Sequence, residues 1–349
     1  MHCIGLDVHS AMTAVCVLDP NGKRVREFAL RGPMPELVAK MKELQKELGP
    51  LRICYEASTG AGWLRDQLQG PGRTILVAHP GKVRLIFRAK RKNDRIDAHK
   101  LAVLNFLGQL PLAHIPCAQR RQWRSMIEYR RRLVERRACA KTRLRALLRS
   151  HAVQAPRSLW FQAGQAWLSK VDLGLCQSLQ RDQLMEELQE VRAKILQVEA
   201  VLKTLAAQEP AVGLLRTIPG VGIRTAEAVV AYIDEPSRFH RIKSVGCYFG
   251  MVPCEDTSVK SRLGHITKEG PPTVRKYLTE ATWQAIRRDA TIRAHFQRIR
   301  REDPKRTKIA LVATAHHLLR VMLAMLRTGE EWNAQHQPVD PHKKSKQAA

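Results

Sequence analysis

The chain has 349 residues, of which 44% are apolar; it is long enough for roughly two or three cores and too apolar for a disordered basic tail. Lys and Arg number 60 against 32 Asp and Glu, a formal charge of +28. A surplus of that size gathers anions at the surface and points to DNA or RNA gripped through phosphates.

The first hundred residues alternate strand and helix patterns. Apolar runs at 3–8 and 12–18 are followed by Pro20-Asn21-Gly22-Lys23 and a third run at 25–30, which predicts a hairpin extended to a meander. Helical periodicity over 34–48 stops at Gly49-Pro50. A strand at 51–55, a short helix at 61–68, a strand at 74–78 and helices around 82–88 and 94–107 complete the series. Three strands, helix, strand, helix, strand, helix is the order of an RNase H-like α/β domain, whose first three strands are antiparallel.

Charge then concentrates. Between Lys82 and Arg149 there are 20 Lys/Arg and four acids, a net +16. A solvated helix face mixes signs; this stretch does not, so it predicts a phosphate-tracking surface. Residues 118–150 read as one Arg-rich helix, with Arg130, Arg131, Arg132, Arg136, Arg137, Lys141 and Arg143 as candidate backbone contacts. Further on, Leu184, Leu188, Val191, Ile195, Val198, Leu202 and Leu205 are spaced 4, 3, 4, 3, 4, 3. Three heptads predict a coiled coil between protomers; a long amphipathic helix packed within one chain gives the same signal. The expected divisions are 1–115 (nuclease-like), 116–209 (Arg-rich helix and coiled coil), 210–330 (a mainly α C-terminal domain) and 331–349 (a disordered tail).

The eight cysteines include no Cys-x-x-Cys pair, so neither a zinc site nor a disulfide framework is expected. The chain opens on a strand-like run rather than a signal peptide, and no apolar run is expected to span a bilayer. Both point to a cytoplasmic protein without a membrane partner.

Four acids stand out. Asp7 lies within the apolar run Ile4-Gly5-Leu6-Asp7-Val8-His9, where a carboxylate is costly unless paired or metal-bound. Glu56 ends a strand in Cys54-Tyr55-Glu56-Ala57-Ser58, and Asp94 and Asp97 open a helix in Asn93-Asp94-Arg95-Ile96-Asp97-Ala98. In an RNase H-like sheet the first and fourth strands are neighbours and the last helix crosses both. The four would converge, and convergent acids need cations. Two Mg²⁺ ions would satisfy them and activate an oxygen nucleophile at a phosphodiester. Asp94 as an N-cap and Asp97 as a first-turn acid are the plainer alternatives.

In the C-terminal third, Ile218-Pro219-Gly220-Val221-Gly222 ahead of a helix reads as a helix-hairpin-helix-like turn, with Gly220 and Gly222 letting amides approach phosphate. Downstream, Tyr248-Phe249-Gly250-Met251-Val252-Pro253 leads into a polar segment holding Ser258, Lys260, Ser261, Arg262 and Lys268. On the residues alone, these hydroxyls are either parts of a surface turn or nucleophiles for phosphorus flanked by cations.

The pieces GLDVH, YEAS, KNDRIDA, IPGVG, YFGMVP and RLGHITKEG occur in an order that resembles the DEDD transposases of bacterial insertion sequences, the bridge-RNA-guided recombinases. The resemblance spans nearly the whole chain. It implies a RuvC-like domain binding Mg²⁺ through Asp7, Glu56, Asp94 and Asp97, a coiled-coil insertion, and a C-terminal serine joined covalently to DNA. Ser258 is the matching serine; the family often has Gly next, and here Val259 follows, which leaves Ser261 as a rival. The resemblance further implies a homo-oligomer (dimer or tetramer), donor and target DNA, a structured non-coding guide RNA, and action at the bacterial nucleoid. The competing readings are a hydrolytic RuvC-like junction nuclease and a non-enzymatic nucleic-acid-binding protein.

Overall fold

A computed structural model describes residues 1–86, 93–256 and 262–333. The chain divides into two compact units, Met1–Arg121 and Gln122–Ala349.

In the first unit the order is β1 (His2–Val8), β2 (Met12–Leu18), β3 (Arg24–Arg31), α1 (Met34–Leu48), β4 (Leu51–Glu56), α2 (Ala61–Leu68), β5 (Arg73–Ala78), α3 (Pro80–Ile86) and α4 (Asp94–Phe106). The sheet runs β3-β2-β1-β4-β5. β1, β2 and β3 pair antiparallel, while β4 lies parallel to both β1 and β5. β1, β2 and β4 are near-continuous apolar runs because both sheet faces are covered. Ile4, Leu6, Val15, Ile53 and Tyr55 face α1 and α2, packing on Leu37, Met41 and Leu64. The alternate residues Cys3, Ala14, Cys16 and Leu18 face Ala98 and Ala102 of α4. β3, at the edge, is mostly exposed.

One close approach fixes α4. A Cβ on Gly5 would overlap the carbonyl oxygen of Ala98 and the amide of Ala102. The helix can therefore lie directly on β1 only with glycine in the strand and alanines in the helix. Asn93 caps α4, its side chain accepting from Arg95 N at 3.1 Å, so Asp94 is not the cap.

The second unit takes in most of α5 (Ala118–Ser150), then α6 (Gln162–Leu168), α7 (Leu175–Ala207), α8 (Pro210–Arg216), α9 (Ile223–Ile233), α10 (Ser244–Tyr248), β6 (Pro253–Asp256), β7 (Arg262–Ile266), α11 (Pro272–Arg288), α12 (Ala290–Arg300) and α13 (Thr307–Thr328). The heptad seam of α7 is filled within the chain. Val191, Ile195, Val198 and Leu202 pack with Trp123, Ile127 and Leu133 of α5 and with the C-terminal helices, while Leu184 and Leu188 pack with Ala140, Leu144 and Leu148. Arg130 pairs with Glu199 and Arg136 with Glu187, so the two long helices run antiparallel. A seam expected to join protomers thus closes an intrachain helical hairpin, which presents the same apolar spacing.

Two further expectations change. The polar segment read as a loop contains the antiparallel hairpin β6–β7. The stretch Pro304–Thr328 is long and apolar enough to cross a membrane by length and composition, contrary to the reading of the sequence. Its residues Leu318, Leu319, Met322 and Leu323 are buried in the C-terminal core, which accounts for the apolar run. The expected tail beyond residue 333 lies outside the described residues.

Candidate active site and nucleic-acid surface

Because α4 rests on β1, its first turn comes over the C-terminal end of that strand. Asp7, His9 and Asp94 meet there, with ligand atoms all within 4.8 Å of one another. His9 Nε2 lies 3.4 Å from Asp7 Oδ2 and 3.7 Å from Asp94 Oδ1. Asp7 Oδ2 is buried and receives no hydrogen bond, since His9 is at ion-pair distance but outside hydrogen-bond geometry. Burial raises the Asp7 pKa above the usual carboxylate value; His9 opposes the rise, and the charges of Asp94 and Asp97 reinforce it.

An orphaned buried carboxylate oxygen facing a second carboxylate is a fit for a hard divalent cation. Asp7 and Asp94 are the residues that could hold it. Asp97, one turn further along α4, is engaged by Lys100 Nζ at 2.9 Å. Glu56 ends β4, following Tyr55, which pairs with Leu6, so it sits on the strand beside Asp7; it is outside the close cluster. His9 is the residue the sequence reading passed over. It stands just past the end of β1, in the turn that leads to β2.

The expected serine, Ser258, lies outside the described residues, as do Lys260 and Ser261; Arg262 opens β7. What is described is the base that carries the hairpin. A Cβ on Gly250 would overlap the backbone of Glu269, and one on Gly270 would overlap the carbonyl of Tyr248. Arg275 Nη1 donates to the carbonyls of Phe249, Glu269 and Gly270 at 3.0, 2.9 and 3.0 Å. The YFG and KEG pieces are therefore two halves of one latch, closed by Arg275. Lys268, exposed, sits at φ +57° beside it and donates its backbone N–H to Gly250.

In the turn between α8 and α9 the two glycines differ. A Cβ on Gly220 would overlap the backbone of Gln284 and Ala285 in α11, so this glycine serves packing. Gly222 heads α9 with open space around it and no side-chain cap.

The arginines of α5 also separate. Arg130 pairs with Glu199, Arg131 with Glu128 and Glu135, and Arg136 with Glu187. Arg132 and Arg143 are exposed, and no ion pair joins them, Arg137 or Lys141 to an acid among the described residues. Cation density visible in the sequence is thus part internal neutralisation and part free charge.

Residues 4–152 match the family model of the DEDD transposases of the IS110 type, and residues 212–297 match that of the transposase IS116/IS110/IS902 family. The chain is similar to the transposase for insertion sequence element IS1111A of Coxiella burnetii, 24% identical over 81% of this chain and 78% of that one. It is also similar to a probable family 20 transposase of Pseudomonas aeruginosa, 25% identical over 71% and 75% of the two chains. The transposase for IS1533 of Leptospira borgpetersenii is 24% identical over 80% and 84%. Membership implies DNA cleavage and strand transfer. The acid cluster lies in the first matched region and the latch in the second, and the chain carries the IS110/IS116-family transposase domains of a DEDD-type insertion-sequence transposase.

Proposed function

We propose that this transposase moves its insertion sequence by RNA-guided strand exchange, with a RuvC-like acid site and a serine nucleophile acting on DNA phosphodiesters. The observation that carries the acid site is the orphaned Asp7 Oδ2 facing Asp94 on a sheet of order β3-β2-β1-β4-β5. That order, with the last helix lying on the first strand, supports the RNase H-like reading. Asp7 and Asp94 would hold Mg²⁺ directly, with Glu56 and Asp97 completing a site for two ions. Magnesium bound there would neutralise the carboxylates and stabilise charge on the attacking and leaving oxygens.

Ser258 Oγ would attack phosphorus, giving its proton to water, while the sugar oxygen departs and takes a proton from water. The serine–phosphate diester keeps the bond energy for rejoining to a second strand. The latch of Gly250, Gly270 and Arg275 supports this reading by anchoring both ends of the hairpin that carries the serine. A guide RNA accords with free cations on α5 that suit backbones rather than base edges.

The test is a strand-transfer assay with purified protein, Mg²⁺, RNA from the flanking element and labelled DNA. A protease-sensitive protein–DNA adduct that vanishes with Ser258→Ala and persists with Ser261→Ala is expected. Loss only with Ser261→Ala moves the nucleophile. Metal-dependent cutting without any adduct makes the protein a hydrolytic nuclease. Exchange that proceeds equally without the RNA removes the guide.

A further inference from the structure

Beyond the paired portion of α5, the tip of the α5–α7 hairpin holds a cavity of about 320 Å³. Arg137 and Lys141 of α5, Arg192 of α7, and Trp160 and Phe161 just before α6 line it over an apolar floor that includes Leu188. Its lining includes no acid. Lys141 Nζ stands 4.7 Å and Arg145 Cζ 5.3 Å from the centre of the Trp160 ring. Phe161 is 73% exposed, an unusual position for a ring with apolar neighbours.

Like charges gathered this closely repel. Burial lowers the Lys141 pKa, and Arg137, Arg145 and Arg192 lower it further. No ion pair joins these four cations to an acid among the described residues, whereas Arg130, Arg131 and Arg136 on the same helix all have one. An anion is the missing partner, and the two rings add a flat apolar face beside it. Phosphate next to a planar ring is the chemistry of a nucleotide. A duplex presents its phosphates but keeps its bases stacked inside, so it cannot use Trp160 and Phe161.

We propose that this pocket takes an unpaired nucleotide of a single-stranded nucleic acid, the base on Trp160 and Phe161 and the phosphate among Arg137, Lys141 and Arg192. The site requires only a nucleic-acid substrate and stands apart from the serine and metal readings. RNA and DNA offer the same chemistry here, so the experiment separates them.

The full chain, with Phe161→Ala and Lys141→Gln variants, would be titrated with a short labelled single-stranded RNA, its DNA counterpart and the matching duplex. Phe161 is exposed, so its removal leaves the core intact. Phe161→Ala should weaken single-strand binding by about tenfold and leave the duplex unchanged. Lys141→Gln should weaken the same strands and reduce their salt slope by about one. Single strands carrying 5-iodouracil should crosslink to the peptide containing Trp160 and Phe161. Loss with RNA alone assigns the pocket to an RNA, and loss with DNA alone to a displaced DNA strand. Equal losses on single strand and duplex would overturn base binding. So would wild-type affinity in both variants with crosslinks confined to other peptides.

Discussion

At Asp7 two requirements conflict: Oδ2 is buried, and its nearest donor, His9 at 3.4 Å, makes no well-formed hydrogen bond to it. A divalent ion resolves the conflict by supplying charge where a hydrogen bond is missing. Mg²⁺ at a hundredfold excess over its Kd should stabilise the folded chain by about 2.7 kcal/mol. Asp7→Asn should abolish that stabilisation and DNA cleavage together while leaving the metal-free melting temperature unchanged or raised. Melts with and without Mg²⁺ check it; a metal-induced shift that survives in Asp7→Asn would remove this residue from the site.

Within elements, charge placement decides which residues work inward and which outward. Arg132 and Arg143 lie on the exposed side of α5, so replacing both with Gln should lower the salt slope of DNA binding by about two while preserving the melting temperature. Arg130→Gln should do the reverse, because it takes from Glu199 its closer partner and leaves only Arg224 at 4.0 Å. Binding measured across a salt series, beside thermal melts, separates the two classes. On α12 and α13, His295 and His317 stack with ring centres 4.2 Å apart. Burial, then His295, Arg320, Arg298 and His316, lowers the His317 pKa from 6.5 to about 4. A histidine held neutral in the fold and charged when unfolded contributes stability that is full above pH 6.5 and is lost as pH falls from there towards 4. Discounted for screening, this one group is worth on the order of 1 kcal/mol. Denaturant titrations at pH 7 and 5 should show the loss, and His317→Gln should reduce it.

Over the whole molecule, the long helices belong to the same core as the C-terminal helices. Val191 is fully buried in that core, so Val191→Asp should cost roughly 4 kcal/mol or more and unfold the second unit. Circular dichroism with size-exclusion chromatography checks this. A folded, stable monomer would show instead that the seam belongs to an interface between copies.

The sequence by itself determined the element series of the first unit, since alternation and helical period are local properties that backbone geometry enforces. It also marked Asp7, because a carboxylate in an apolar strand is an anomaly of position; Asp94, an acid opening a helix, is ordinary there and stands out only beside Asp7. Tertiary structure decided what spacing cannot carry. Gly5 against Ala98 brings the two acids together, and His9 joins them only because β1 ends beneath α4. The heptads of α7 carried no information on whether their partner was this chain or another; the packed core assigns the seam to α5 and the C-terminal helices. The arginines of α5 are indistinguishable in sequence. Acids far along the chain, Glu187 and Glu199, neutralise some of them and leave others free, and such pairings exist only once the helices have packed.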